Sequence, residues 1–237
     1  MGIIVVSGTG TEIGKTVVTA ALVAVARARG QRVAVVKPIQ TGILATEPGD
    51  LDEVNRLGGG ARTVELARFA EPLAPATAAR RAGVDGIRPE EVVVAAEKLA
   101  GEYDLVLIEG AGGLLVRFDE TGSTIADTAR LLGAPVLVVA PAALGTLNAV
   151  ALTAEALSAR GVEQLGVVVG SWPHRPDLAA RCNLLDLPEV AGAPLLGVVP
   201  ERAGRLRPVD FRARAAGWLA PRLGGTWDAG TFATTVG

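Results

Sequence analysis

The chain is short of the residues on which several chemistries depend. Its 237 residues include one cysteine, Cys182, one histidine, His174, and 3% aromatics. A lone cysteine excludes an intrachain disulfide framework and agrees with a reducing cytosol. The single histidine, set in a proline-rich stretch, reads as a surface loop residue and leaves no histidine metal site or histidine-based triad. Basic residues such as Arg80-Arg81 and Arg202–Arg207 are not interleaved with aromatics, so stacking on single-stranded nucleic acid has no platform. Charge of one sign is also missing: the net charge is −2, which gives no global field for nucleic acid or an anionic membrane. No apolar run is long enough to span a bilayer and no secretory pattern is visible. The expectation is a soluble, cytoplasmic protein that binds neither nucleic acid nor membrane.

Aliphatic residues are abundant, and hydrophobic residues make up 49% of the chain, enough for one sizeable core. Apolar β-branched runs recur at Ile3–Val6, Val33–Val36, Leu105–Ile108, Val136–Val139, Leu165–Val169 and Leu195–Val199. They read as strands buried on both faces. Helical patterns over Val17–Arg29, Asp50–Leu57, Pro89–Ala100, Thr124–Leu132 and Thr146–Ala159 lie between most of them. This alternation predicts an α/β fold, a mainly parallel sheet with helices on both faces in three layers. No linker or repeat interrupts residues 1–223, read as one domain, while the Gly- and Thr-rich stretch 224–237 is expected to fray.

Between the first strand and the first helix stands Gly8-Thr9-Gly10-Thr11-Glu12-Ile13-Gly14-Lys15-Thr16. A glycine loop in this position turns its backbone N–H groups and the positive helix end onto a nucleotide's phosphates; Lys15 adds charge and Thr16 a hydroxyl for Mg²⁺. Five residues separate Gly8 from Gly14 where the usual phosphate loop has four, so this is a lengthened P-loop.

In a parallel sheet the ligand lies beyond the carboxyl ends of the strands. The second apolar run ends in Lys37-Pro38-Ile39-Gln40-Thr41-Gly42, where Lys37 is either a solvated strand end or an anion-stabilising group, with the Thr41 hydroxyl nearby. Asp50 opens a helix and reads as its N-cap or as a metal ligand. The third run ends in Glu109, followed by Gly110-Ala111-Gly112-Gly113, resembling a Walker B carboxylate beside residues small enough to admit phosphate. The fourth leads into Leu144-Gly145-Thr146-Leu147-Asn148, a helix start that suits an anionic group or an ordinary cap.

These segments, together with Phe69-Ala70-Glu71-Pro72 and Pro75, closely resemble the dethiobiotin synthetase family and occur in the same order. The resemblance implies that 7,8-diaminopelargonic acid captures CO2 as a carbamate, that ATP phosphorylates it, and that the second amine closes a cyclic urea with release of ADP and phosphate. Carried over, Lys15 and the backbone from Glu12 through Ile13, Gly14 and Thr16 to Val17 hold the triphosphate. Gly110, Ala111 and Gly112 lie alongside, and Thr16, Asp50 and Glu109 surround Mg²⁺; loop length allows Asp52 in place of Asp50. Lys37 is the catalytic lysine beside Lys15, and Thr11 and Thr41 face the substrate. Leu144, Gly145, Thr146, Leu147 and Asn148 of a second subunit hold the substrate carboxylate, so a homodimer is implied. The nucleotide base is expected against Gly170, Ser171, Val199, Pro200 and Glu201. Many relatives carry an Asn-Asp pair at the first of these places, and Gly170-Ser171 leaves the base open among nucleoside triphosphates.

Two rival readings share the fold. Partitioning-type regulatory ATPases carry a second lysine five residues before the Gly-Lys lysine, where this chain has Gly10, and they commonly end in a basic membrane-binding helix that Val209–Leu223 does not match. ATP-dependent amidoligases of the cobalamin type come fused to a glutaminase, for which there is no room or Cys/His pair.

Overall fold

The computed structural model describes residues 2–236. Along it run β1 (Gly2–Gly8), α1 (Lys15–Ala28), β2 (Val33–Thr41), α2 (Asp50–Gly58), β3 (Arg62–Phe69), α3 (Pro75–Ala82), α4 (Pro89–Ala100) and β4 (Leu105–Glu109). Then follow α5 (Ile125–Leu132), β5 (Val136–Ala140), α6 (Thr146–Ser158), β6 (Gln164–Trp172), α7 (Leu178–Ala191), β7 (Leu195–Pro200), α8 (Pro208–Ala215) and α9 (Ala229–Val236). The strands form one sheet in the order β3-β2-β4-β1-β5-β6-β7, and every pairing is parallel. Such a sheet needs a crossover after each strand, and the helices supply it.

Strand periodicity divides the core into two. Val6, Val33, Val35, Leu107, Leu137 and Val139 pack with α1, α2, α7 and α8 on one face. Their neighbours Val5, Ala34, Val36, Val106, Ile108, Val136 and Val138 pack with α4 and α5 on the other. Adjacent residues of a strand point to opposite faces, so continuous apolar runs were needed to bury both. Each fully buried Val, Leu or Ile contributes about 1.5–3 kcal/mol relative to exposure.

The six expected strands are all present, joined by β3 at the edge. Its sequence, Arg62-Thr63-Val64-Glu65-Leu66-Ala67-Arg68-Phe69, mixes charge with apolar residues because it pairs with β2 alone and stays half-exposed. The stretch expected to fray carries α9. Trp227 is buried there, and Phe232 meets Trp172 edge-on at 5.5 Å between ring centroids. Composition hid this contact, since two aromatic anchors suffice to dock a segment otherwise made of Gly, Ala and Thr.

Candidate active site

β1 sits in the middle of the sheet, between β4 and β5, and delivers the loop that follows it to the carboxyl edge. Two residues of that loop have left-handed backbone, Glu12 (φ 57°) and Gly14 (φ 96°), and α1 begins immediately afterwards at Lys15. The loop rests on the end of β6. A Cβ on Gly14 would stand 2.4 Å from the Gly170 carbonyl oxygen, and one on Gly170 would stand 2.1 Å from the Ile13 carbonyl oxygen. Both positions must therefore be glycine for loop and strand to touch. The Lys15 ammonium folds back along the loop and donates to the Gly10 carbonyl at 2.7 Å. Burial, aided by the neighbouring Lys37 charge, brings its pKa down to about 8 against the pull of Glu109 and Asp50.

Beside the loop lies a buried ionic cluster. Lys37 follows Val33 and Val35 along β2, and Glu109 follows Leu107 on β4, one register step beyond the pair Val36 and Ile108. Lys37 is 3% exposed and Glu109 fully buried. The Lys37 ammonium donates to Glu109 Oε1 at 2.8 Å and to the Gly110 carbonyl at 3.3 Å, and it pairs with the Asp50 carboxylate at the head of α2. The Thr16 hydroxyl donates to the same Glu109 Oε1 at 2.9 Å. Burial alone would push the lysine down, but two carboxylates outweigh it and hold the ammonium above its ordinary value. Taking charges this far from water is costly unless each is paired, and here each is.

One atom of the cluster is left over. Glu109 Oε2 is buried without a hydrogen-bond partner. The unsatisfied oxygen, with the Asp50 carboxylate and the Thr16 hydroxyl, makes a set of hard oxygen donors beside a phosphate loop, which fits Mg²⁺ rather than a softer ion. Among the described residues no group of three or more His, Cys, Asp or Glu gathers as a self-sufficient metal cage. The structure also separates the two aspartates: Asp52 Oδ2 accepts the Gly49 N–H at 2.7 Å as a capping residue, while Asp50 faces Lys37.

A cleft of about 1040 Å³ brings together Thr11, Glu12, Gly14, Lys15, Thr16, Lys37, Thr41, Asp50, Ala111 and Gly112. Glu109 lies beneath it, reached through Lys37 and Thr16. Ile13 and Val17 instead pack against the core. A second cavity of about 540 Å³ is walled by Trp172, Pro173, Pro200, Glu201 and Phe232. Of the residues expected near the base, Pro200 and Glu201 line it, Val199 and Gly170 are buried in their strands, and Ser171 is exposed. The segment Leu144–Asn148 lines neither cavity; Leu144 is 86% exposed, and Thr146 is 2% exposed with its hydroxyl unpaired. A larger hollow of about 1140 Å³ between α3, α4 and α5 has no part of the phosphate loop, and Asp119 on its wall is satisfied by Thr121 and Ser123. Residue reasoning overlooked Gln40, Arg68, Trp172 and Phe232, none of which belongs to a phosphate-binding pattern.

A lengthened phosphate loop at the central strand of an all-parallel sheet, with a carboxylate closing the neighbouring strand, defines a P-loop NTPase-like α/β protein. Solved structures share that fold: the cell division ATPase MinD of Pyrococcus furiosus (TM-score 0.56, 22% identity, 89% of each chain) and a ParA family ATPase of Chlorobium tepidum (TM-score 0.56, 15% identity, 98% and 97%). A family model described as an AAA domain matches residues 3–206. The ATP-dependent dethiobiotin synthetase BioD of Streptomyces avermitilis is 65% identical over 99% of this chain and 98% of its own length, and that of Streptomyces coelicolor is 63% identical over 98% of each. The chain belongs to the ATP-dependent dethiobiotin synthetase family.

Proposed function

We propose that the protein is a dethiobiotin synthetase, which joins 7,8-diaminopelargonic acid and CO2 into a cyclic urea at the expense of ATP. The observation that carries the mechanism is Lys37, a buried ammonium set between Glu109 and Asp50 on the floor of the phosphate-loop cleft. An amine of the diamine adds to CO2 and loses a proton. The carbamate oxygen formed attacks the γ-phosphorus and the nucleoside diphosphate leaves. The second amine then attacks the carbonyl carbon, giving up a proton as it expels phosphate and closes the ring.

No covalent enzyme intermediate is needed, so the chain's work is positioning and electrostatic stabilisation. Backbone N–H groups from Glu12 to Val17 and the Lys15 ammonium hold the triphosphate. Lys37 neutralises the carbamate and the charge that spreads over the transferring phosphoryl group. Thr16, Asp50 and Glu109 would hold Mg²⁺, which when bound neutralises charge on the β and γ phosphates. Thr11 and Thr41 face the substrate, and Gly110, Ala111 and Gly112 leave room for it. The base lies toward Gly170, Ser171, Val199, Pro200 and Glu201.

The substrate carboxylate is held by the start of α6 from a second subunit, in a homodimer. Supporting this part are the unpaired Thr146 hydroxyl and the exposed Leu144, which lie outside this chain's own cleft. Cytoplasmic residence follows from the biosynthetic role. Mass-spectrometric detection of dethiobiotin tests the proposal: protein is mixed with the diamine, bicarbonate, Mg²⁺ and, in separate reactions, ATP, CTP or GTP. Product with at least one nucleotide is expected, and its absence with all three, from folded protein, rejects the assignment.

A further inference from the structure

Asp50 reaches Lys37 from the end of an irregular segment, residues 42–49, which leaves β2 and returns to open α2. Loops of this kind are the mobile parts of a fold, yet a carboxylate that must meet a buried ammonium needs a fixed origin. Two side chains beneath the segment supply one. Gln40 on β2 and Arg68 on β3 are register partners at the ends of neighbouring strands. Gln40 is buried, and its Oε1 accepts the Asp50 backbone N–H at 3.0 Å while its Nε2 donates to the Thr41 carbonyl at 3.3 Å. The Arg68 guanidinium donates through Nη1 to the Leu44 carbonyl at 3.1 Å and the Glu47 carbonyl at 2.7 Å. Its Nε and Nη2 are held by Glu65 at 2.7 and 2.9 Å. The backbone lies directly on these two groups, because a Cβ on Gly49 would stand 2.7 Å from Arg68 Nη2 and 3.2 Å from Gln40 Oε1.

We propose that Gln40 and Arg68 are positioning residues of the metal–nucleotide site, which clamp the 42–49 segment so that Asp50 stands opposite Glu109. The inference rests on the reading of Asp50 as a Mg²⁺ ligand. Arg68 lies outside the cleft, and Gln40, on its wall, spends both ends of its amide on backbone groups. Gln40 fixes the peptide that carries the ligand, and Arg68 fixes the segment leading to it, using a fork geometry that a lysine lacks. Partners that orient a ligating group typically change metal affinity by about ten- to a hundredfold when removed.

Mn²⁺ binding, measured by paramagnetic resonance of the free ion in the presence of a non-hydrolysable ATP analogue, tests this without turnover. Thermal midpoints of the metal-free proteins establish folding. Gln40→Ala and Arg68→Ala are each expected to weaken Mn²⁺ binding about tenfold. Arg68→Lys, the gentler change, is expected to fall between Arg68→Ala and the parent. Gln40→Ala is expected to add nothing to a protein that already carries Asp50→Ala. Unchanged Mn²⁺ affinity in folded Gln40→Ala and Arg68→Lys, beside a weakened Asp50→Ala, overturns the positioning role. So does an undiminished Gln40→Ala effect on the Asp50→Ala background. Unchanged affinity in Asp50→Ala alone rejects the underlying ligand assignment instead, and the two failures are thereby told apart.

Discussion

Lys37 and Glu109 are each the other's condition for being buried. Lys37→Ala is expected to abolish turnover, and because it strands the Glu109 carboxylate in the core it is also expected to cost about 3–5 kcal/mol of stability. Adding Glu109→Gln is expected to recover most of the lost thermal midpoint without restoring catalysis. A double variant as unstable as the single one contradicts the pairing. Lys15 supports a second expectation. With its pKa depressed to about 8, the lysine of the nucleotide-free protein is expected to be mostly charged at pH 7 and mostly neutral at pH 9. Triphosphate affinity should fall across that interval, and binding at pH 8.5 should take up protons, because phosphate restores the charge. Calorimetry in buffers of different ionisation heat measures this directly; binding with no proton exchange at pH 8.5 would contradict the shift.

At the level of elements, the contact of loop and strand at Gly14 and Gly170 is the most sensitive joint. Gly170→Ala places a methyl against the Ile13 carbonyl and is expected to destabilise by about 1–3 kcal/mol and to displace the phosphate loop. An equilibrium nucleotide titration showing parent-like affinity would sink that expectation. Gly170 also illustrates what sequence conveys. The glycine loop, the buried strands and the charged residues at their tips, Lys37 and Glu109, were readable because each breaks an apolar pattern at a place where the fold puts ligands. Asp50 was ambiguous between cap and ligand; in the structure Asp52 accepts the capping hydrogen bond and Asp50 pairs with Lys37. Edge strand β3 and helices α3, α7, α8 and α9 were not read, since their polar or weakly periodic sequences are stabilised by tertiary contacts. Gln40 and Arg68 were invisible for a related reason: what they do depends on a register between β2 and β3 that no local pattern encodes.

For the whole molecule, the proposed completion of the site by a second copy has a sharp signature. Mixing Lys37→Ala with Thr146→Val should regain activity that neither preparation has alone, while Leu144→Asp should shift the sedimenting species toward monomer; failure of both leaves a one-chain site. The sheet order β3-β2-β4-β1-β5 has a consequence in time as well. Thr16 and Glu109 stand 93 positions apart in the chain and Lys37 and Glu109 stand 72 apart, yet they share one carboxylate oxygen. Pairings of such sequence separation form slowly, after their loop-closure entropy has been overcome. A chain emerging from the ribosome therefore holds its phosphate loop and its lysines long before β4 inserts between β2 and β1, and it becomes able to grip a nucleotide only when that insertion is complete.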